Sequence, residues 1–174
     1  MGIKGAIAWR FLAKKMNAME IRYSLLGIVE YLIQTYKEPE KVYSELKKIF
    51  KRAGEIVYLK YLQATRRFAR SIEDLIPTYN LGFKLFTGRS FDDIRMEREG
   101  KDIYITYTIY DCPICKGLSV PIPVPICVFF ASVFEWIEEQ RLQDWNAEFV
   151  KCDETKCRVK GDECCEFRAH IRLR

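Results

Sequence analysis

The tightest constraint on this chain is the placing of its cysteines. Five of the seven lie from Cys127 onward: Cys127, Cys152, Cys157, Cys164 and Cys165. Glu154 and Cys157 are three residues apart, and a Gly161-Asp162 turn separates Cys157 from Cys165. Such a turn folds the two cysteines back onto neighbouring strand ends. Zinc takes three or four N, O or S ligands at about 2.0–2.3 Å, supplied by separate chain segments. One short hairpin plus one remote cysteine meets that need. The plainer alternative is buried thiols acting as small hydrophobes. The lysines and acids that flank these cysteines favour a partly exposed segment and hence the metal.

An odd cysteine count argues against a disulfide framework, and the stretch Met1 to Lys15 carries only a five-residue apolar run before Arg10. The expectation is reduced thiols in the cytoplasm, some of them metal-bound. A second cysteine feature, Cys112-Pro113-Ile114-Cys115-Lys116-Gly117, has the form of one zinc-ribbon knuckle. A ribbon supplies its second pair about 15–20 residues later. Here Cys127 comes next, followed by Cys152 and Cys157, and neither spacing makes a close pair. The knuckle approaches the same metal, holds a second one or stays as free thiols, and the spacing favours the last two.

The first half of the chain has helical periodicity. Ile21, Leu25, Ile28, Leu32 and Tyr36 follow a period near 3.6, which predicts an amphipathic helix over Met19–Tyr36. Pro39 suits the first turn of a second helix. Val42, Leu46, Ile49, Ala53, Ile56 and Leu59 give that helix an apolar stripe reaching toward Arg70. Ser71-x-x-Asp74 is a capping signal for a third helix, Pro77 kinks or restarts it, and Gly88 stops it. The period then changes to two. Phe91–Arg98 and Asp102–Tyr110 read as strands joined at Glu99-Gly100. Ile103, Ile105, Tyr107 and Ile109 share one face of the second strand; Tyr104, Thr106, Thr108 and Tyr110 share the other. A helix over Ile126–Gln140 follows, then strands over Ala147–Cys152 and Cys164–Leu173.

Several function classes fall away. The net charge is only +5, and Lys47, Lys48, Lys51, Arg52, Arg66, Arg67 and Arg70 are interspersed with Glu40, Glu45, Glu55 and Glu73. That mixture reads as a solvated helix face and not as a nucleic-acid surface. Leu118–Phe134 is uncharged, but Pro121, Pro123 and Pro125 break it, so no membrane span is expected. The single His170 has no nucleophile partner and reads as structural. No phosphate-binding loop or nucleophile elbow is present.

From about Asp111 onward the chain resembles the 4-vinyl-reductase-type hydrocarbon-binding domains. Their terminal pattern stands here as Glu154-x-x-Cys157 and Gly161-Asp162-x-x-Cys165-x-Phe167, with Cys127 as the upstream cysteine that opens an apolar helix. The resemblance implies the ligand-binding fold shared with NO sensors and with lipid-binding subunits of the TRAPP vesicle-tethering complex. It also implies one structural zinc held by Cys127, Glu154, Cys157 and Cys165, with Cys152 and Cys164 as substitutes, and homodimers paired through N-terminal helices.

The fold class expected is therefore α+β, with N-terminal helices packed on a twisted antiparallel sheet of four or five strands. Residues 1–70 are read as a dimerising helical region and 71–174 as a small-molecule-binding domain with the zinc site. Phe129, Phe130, Val133, Phe134, Trp136 and Ile137 cover nearly all sides of one helix, so it should be buried on more than one face. The expected ligand is a hydrocarbon, an aromatic or an acyl chain. Phe83, Phe86, Tyr104, Tyr107, Phe130, Phe134 and Trp136 are its candidate contacts. The alternatives are an interaction scaffold, and an enzyme or accessory of vinyl-group reduction. The enzyme is the weaker, since nothing in the chain supplies a hydride carrier or a flavin site.

Overall fold

The computed structural model describes residues 20, 22–57, 69–118 and 122–174. Four strands form one antiparallel sheet: β1 (Asp93–Glu99), β2 (Asp102–Ile109), β3 (Ala147–Lys156) and β4 (Cys165–Leu173), in the order β1-β2-β4-β3. The two central strands carry the clearest period of two. Ile103, Ile105, Tyr107 and Ile109 of β2 are buried, as are Cys165, Phe167, Ala169 and Ile171 of β4. These residues meet across the ladder, with Ile105 opposite Ala169 and Tyr107 opposite Phe167. A one-residue slip would turn the whole set to solvent, so burial fixes the register.

Helices cover the apolar face. Residues 22–36 form α1, Pro39–Val57 α2, Leu75–Thr87 α3 and Val128–Arg141 α4. Side chains from all four join the sheet in one core. Pro39 occupies the first position of α2, where its missing N–H costs no hydrogen bond. Val42, Leu46 and Phe50 are the buried stripe of α2, whereas Ile49 is 41% exposed. The period runs every fourth residue here, which moves the stripe past Ile49. The expected continuation of α2 beyond Val57 lies outside the described residues.

Helix α3 begins at Leu75 and not at the capping serine. The Asp74 carboxylate accepts the backbone N–H groups of Arg70 and Ser71 at 2.8 and 3.1 Å, which closes the turn before the helix. Pro77 falls in the first turn, where helix N–H groups have no intrahelical acceptor, so it neither kinks nor restarts the helix. Gly88 ends it at φ 78°, a left-handed conformation that glycine adopts without strain.

The α1 stripe is covered by its own chain. Leu25, Val29 and Leu32 are buried there and Ile28 is half-buried; Ile21 lies outside the described residues. The Arg22 guanidinium also donates to the Pro113 carbonyl at 2.8 Å, tying α1 to the Cys112–Cys115 loop. The stripe therefore supplies no exposed apolar face for the expected pairing of N-terminal helices. Two of the basic residues of α2 also differ from the solvated face expected of them. Lys47 pairs with Glu135 at 2.7 Å and with Asp153 at 3.2 Å, and Lys51 pairs with Glu135 and Glu139 of α4. Their charges tie helix to helix and helix to strand. Among the described residues, no helix is long and apolar enough to cross a membrane.

Candidate functional site

Three chain segments converge at the end of the sheet beside the start of α4. The first is the loop after β2. Its turn closes with the Lys116 N–H donating to the Cys112 carbonyl at 2.9 Å, and Gly117 takes φ 75°. Asp111 anchors the loop by ion pairs with Arg89 and Lys116. The second segment is Cys127, the residue that caps α4, whose carbonyl accepts the Phe130 N–H at 2.9 Å. The third is the hairpin between β3 and β4. There the Asp162 carboxylate accepts the Cys157 N–H at 2.7 Å, and Gly161 at φ 102° turns the chain back.

These segments bring five sulfurs together. The Cys127 Sγ lies 3.2 Å from those of both Cys112 and Cys115 and 3.9 Å from that of Cys165. The Cys115 Sγ is 3.8 Å from that of Cys157 and 3.5 Å from that of Cys165. All exceed by far the roughly 2.05 Å of a disulfide bond. They fall near the separation of about 3.8 Å between two thiolates 2.3 Å from a shared tetrahedral ion. The Glu154 carboxylate joins them, 6% exposed and hydrogen-bonded with Cys157 and the Cys127 backbone.

Two four-residue sets have ligand atoms mutually within 4.8 Å: Cys112, Cys115, Cys127 and Cys165; and Cys127, Glu154, Cys157 and Cys165. Either could hold a metal ion. The thiolate-rich donors suit a soft or borderline cation, and four protein ligands leave no open position for a reacting water. The knuckle thus lies at the same site as the hairpin, the option that spacing disfavoured. Chain separation does not report the loop that carries Cys112 and Cys115 back over Cys127. Cys152 and Cys164 belong to neither set. All seven cysteines are buried, so the flanking charges gave a false impression of exposure.

Electrostatics at this site pull the groups in opposite directions. Burial pushes the Glu154 carboxyl well up, and the neighbouring Cys157 adds to it. Burial likewise raises the Cys127 thiol. Cys157 goes the other way, because the Cys115 and Cys127 thiols hydrogen-bond to its sulfur. A divalent ion reverses the cost of charge, as it deprotonates the thiols that bind it.

The expected ligand contacts divide. Tyr79, Phe83, Phe91, Tyr107, Phe130 and Phe134 form a continuous ring cluster on the helical face of the sheet. Phe83 stacks on Phe91 at 4.1 Å and Tyr79 on Phe134 at 5.0 Å, and Tyr107 lies 4.9 Å from Phe134. Tyr104 is not among them. It stands on the opposite face of β2, stacked on His170 at 4.6 Å, because strand side chains alternate. Trp136 is buried two positions beyond Phe134, about 200° farther round the helix. The Phe86 side chain lies outside the described residues. His170 bonds the Asp102 carboxylate at 2.7 Å, in keeping with a structural role.

Pattern alone did not reveal a polar feature inside this cluster. The hydroxyls of Tyr79 and Tyr107 and both carboxylate oxygens of Glu138 are buried with no hydrogen-bond partner among the described residues. Burial, and then the nearby Glu135 charge, raises the Glu138 carboxyl. Burial also raises both tyrosines, and the Glu138 charge raises them further, so the three groups lie within electrostatic reach of one another. A glutamate at an interior helix position was the available signal. Separately, Leu26, Val29, Ile33, Leu118, Ile122 and Pro123 line an apolar groove of about 510 Å³ beside α1.

With helices on one face of a four-stranded antiparallel sheet, the fold can be compared with solved structures. It is the fold of a TRAPP subunit. A trafficking protein particle complex subunit 3 from Naegleria fowleri, solved covalently bound to palmitic acid, superposes with a TM-score of 0.68. The match covers 92% of this chain and 99% of that one, at 16% sequence identity. No family model matches the sequence. No curated protein matches it either.

Proposed function

We propose that this domain binds a small, mainly apolar molecule carrying one hydrogen-bonding oxygen, such as an acyl chain, and is braced by structural zinc. The supporting observation is the trio of Glu138, Tyr79 and Tyr107. Four buried polar atoms without partners cost free energy in a filled core. A ligand's carbonyl or hydroxyl among them would offset that cost. A protonated Glu138 donates to such an oxygen, and Phe83, Phe130, Phe134 and Tyr107 supply the apolar contact. Trp136, and Phe86 from the sequence, remain proposed contacts. Binding of palmitate by a protein of the same fold supports the ligand class.

A second seat for the apolar body is the groove beside α1, since about 510 Å³ is within the range of small-molecule pockets. An interaction scaffold remains the rival function, because the protein of like fold is a complex subunit. Zinc is the metal of choice for a closed, thiolate-rich site in a reducing cytoplasm, and the vinyl-reductase-like motif at Glu154, Cys157 and Cys165 supports it. A homodimer through α1 would use the outward side, where Tyr23 and Tyr31 are exposed.

Organic extraction of the purified protein, with a thermal-shift panel of acyl and aromatic compounds, tests the binding. An extracted lipid or a ligand-dependent shift is expected. Loss of the shift in Glu138→Leu, which removes the donor, assigns the aromatic interior, and loss in Ile33→Trp assigns the groove. No bound lipid and no shift with any compound sinks the reading. A lipid that never exchanges favours the scaffold. Sedimentation at tens of micromolar, on the order of ordinary solution work, decides the dimer.

A further inference from the structure

We propose that one zinc ion is held by four thiolates, those of Cys115, Cys127, Cys157 and Cys165, and that Glu154 supports them from outside the ligand shell. This deepens the zinc reading above and rests on it. It departs from the ligand set that the sequence resemblance implies, which gives the fourth place to Glu154. Cys115 enters from the loop after β2, Cys127 from the cap of α4, and Cys157 and Cys165 from the hairpin between β3 and β4.

The sulfur separations support this set. The Cys115 Sγ lies 3.2, 3.8 and 3.5 Å from those of Cys127, Cys157 and Cys165. The Cys127 and Cys165 sulfurs are 3.9 Å apart, and the Cys157 sulfur lies within 4.8 Å of both. These values bracket the edge of about 3.8 Å expected of a tetrahedron of sulfurs about 2.3 Å from one ion. Cys115 therefore stands where an ion bound to Cys127, Cys157 and Cys165 needs its fourth ligand. Two contacts fix its loop there: the Arg22 bond to the Pro113 carbonyl and the Arg89 ion pair with Asp111.

Two other groups compete for the fourth place. Glu154 is already engaged by its hydrogen bonds with Cys157 and the Cys127 backbone. Partners of that kind orient the ligands from behind and tune them. Cys112 approaches from the knuckle, with its sulfur 3.2 Å from that of Cys127. An ion about 2.3 Å from both sulfurs would subtend an angle of about 90° there, well short of tetrahedral. Cys115 already makes one such short edge with Cys127, and Cys112 would add a second at the same sulfur. Cys157 instead adds an edge of 3.8 Å. Cys112 is then the spare thiol of the cluster.

Zinc-edge X-ray absorption of the full wild-type chain, loaded with zinc and freed of excess, tests the proposal and needs no variant to fold. The expected shell is four sulfurs at about 2.3 Å with no oxygen near 2.0 Å. Three sulfurs and one oxygen would overturn the four-thiolate set and leave the zinc reading standing, whereas a chain that retains no zinc overturns both. Chelator competition on single variants then identifies the sulfurs. Cys115→Ser is expected to lose its zinc at a chelator concentration that wild type and Cys112→Ser withstand. Retention by Cys115→Ser at the wild-type level overturns the assignment. So does loss from a Cys112→Ser chain that is still folded, since Cys112 would then be a ligand.

Discussion

The Tyr43 hydroxyl accepts the backbone N–H of Glu154 at 2.9 Å, so helix α2 holds the strand that presents the Glu154 carboxylate to the cysteines. Burial pushes the Tyr43 hydroxyl far up, and the N–H bond it accepts opposes that shift only in part. It therefore stays neutral. Replacing Tyr43 with Phe leaves the N–H without its acceptor. Urea unfolding should show a loss of about 1–2 kcal/mol, and the metal count should not change. An unchanged midpoint would mean that water takes the place of the hydroxyl.

Metal removal should destabilise the protein without exposing any chemistry. A site loaded at about 1,000 times its dissociation constant contributes about 4 kcal/mol. For a chain of this length that corresponds to a fall in Tm of roughly 8–16 °C. Calorimetry before and after exhaustive chelation measures it. An unshifted transition after verified loss of metal would rule out a structural role.

Glu138 predicts a pH dependence of known sign. Its carboxyl is raised in the folded state, from an ordinary value of 4.5. The native state then holds a proton that the unfolded state releases once the pH passes about 4.5. Stability is full below that value and falls as pH rises toward the folded-state pKa, by up to about 1.4 kcal/mol per pH unit. Glu138→Gln keeps the size and removes the ionisation. The variant should lose less stability than wild type between pH 5 and 8, as followed by denaturant midpoints. Parallel curves would show that Glu138 ionises in the fold.

Two glycines should respond in opposite directions to alanine. Gly27 lies in α1 with nothing within 4 Å of an added Cβ. Gly27→Ala should therefore stabilise by about 0.5–1 kcal/mol through backbone entropy and helix propensity. Gly161 also has open space, but its φ is 102°. Gly161→Ala should cost about 1–3 kcal/mol and loosen the turn that presents Cys157. Thermal unfolding of the two variants side by side checks the contrast.

Much of this molecule could be read from residue order. The alternation of Ile103, Ile105, Tyr107 and Ile109 declared a strand and its buried face, because a period of two has one geometric meaning. By the same rule it separated Tyr104 from Tyr107, so grouping both as ligand contacts ran against the pattern itself. The hairpin between Glu154 and Phe167 was legible because its candidate ligands and its turn glycine are close in sequence. Spacing along the chain did not reveal the company that Cys112 and Cys115 keep. The position of their loop depends on Arg22 in one direction and on Arg89 in another, both distant in sequence. Similarly, the basic residues of α2 gave their charge but not their partners, and only packing against α4 placed Lys47 beside Glu135. Local periodicity is fixed by a few adjacent dihedral angles, so the sequence alone determined the strands, the helices and the hairpin. The joining of six donors from three segments depends on loop closure and burial across the whole chain, and only the tertiary structure decided it.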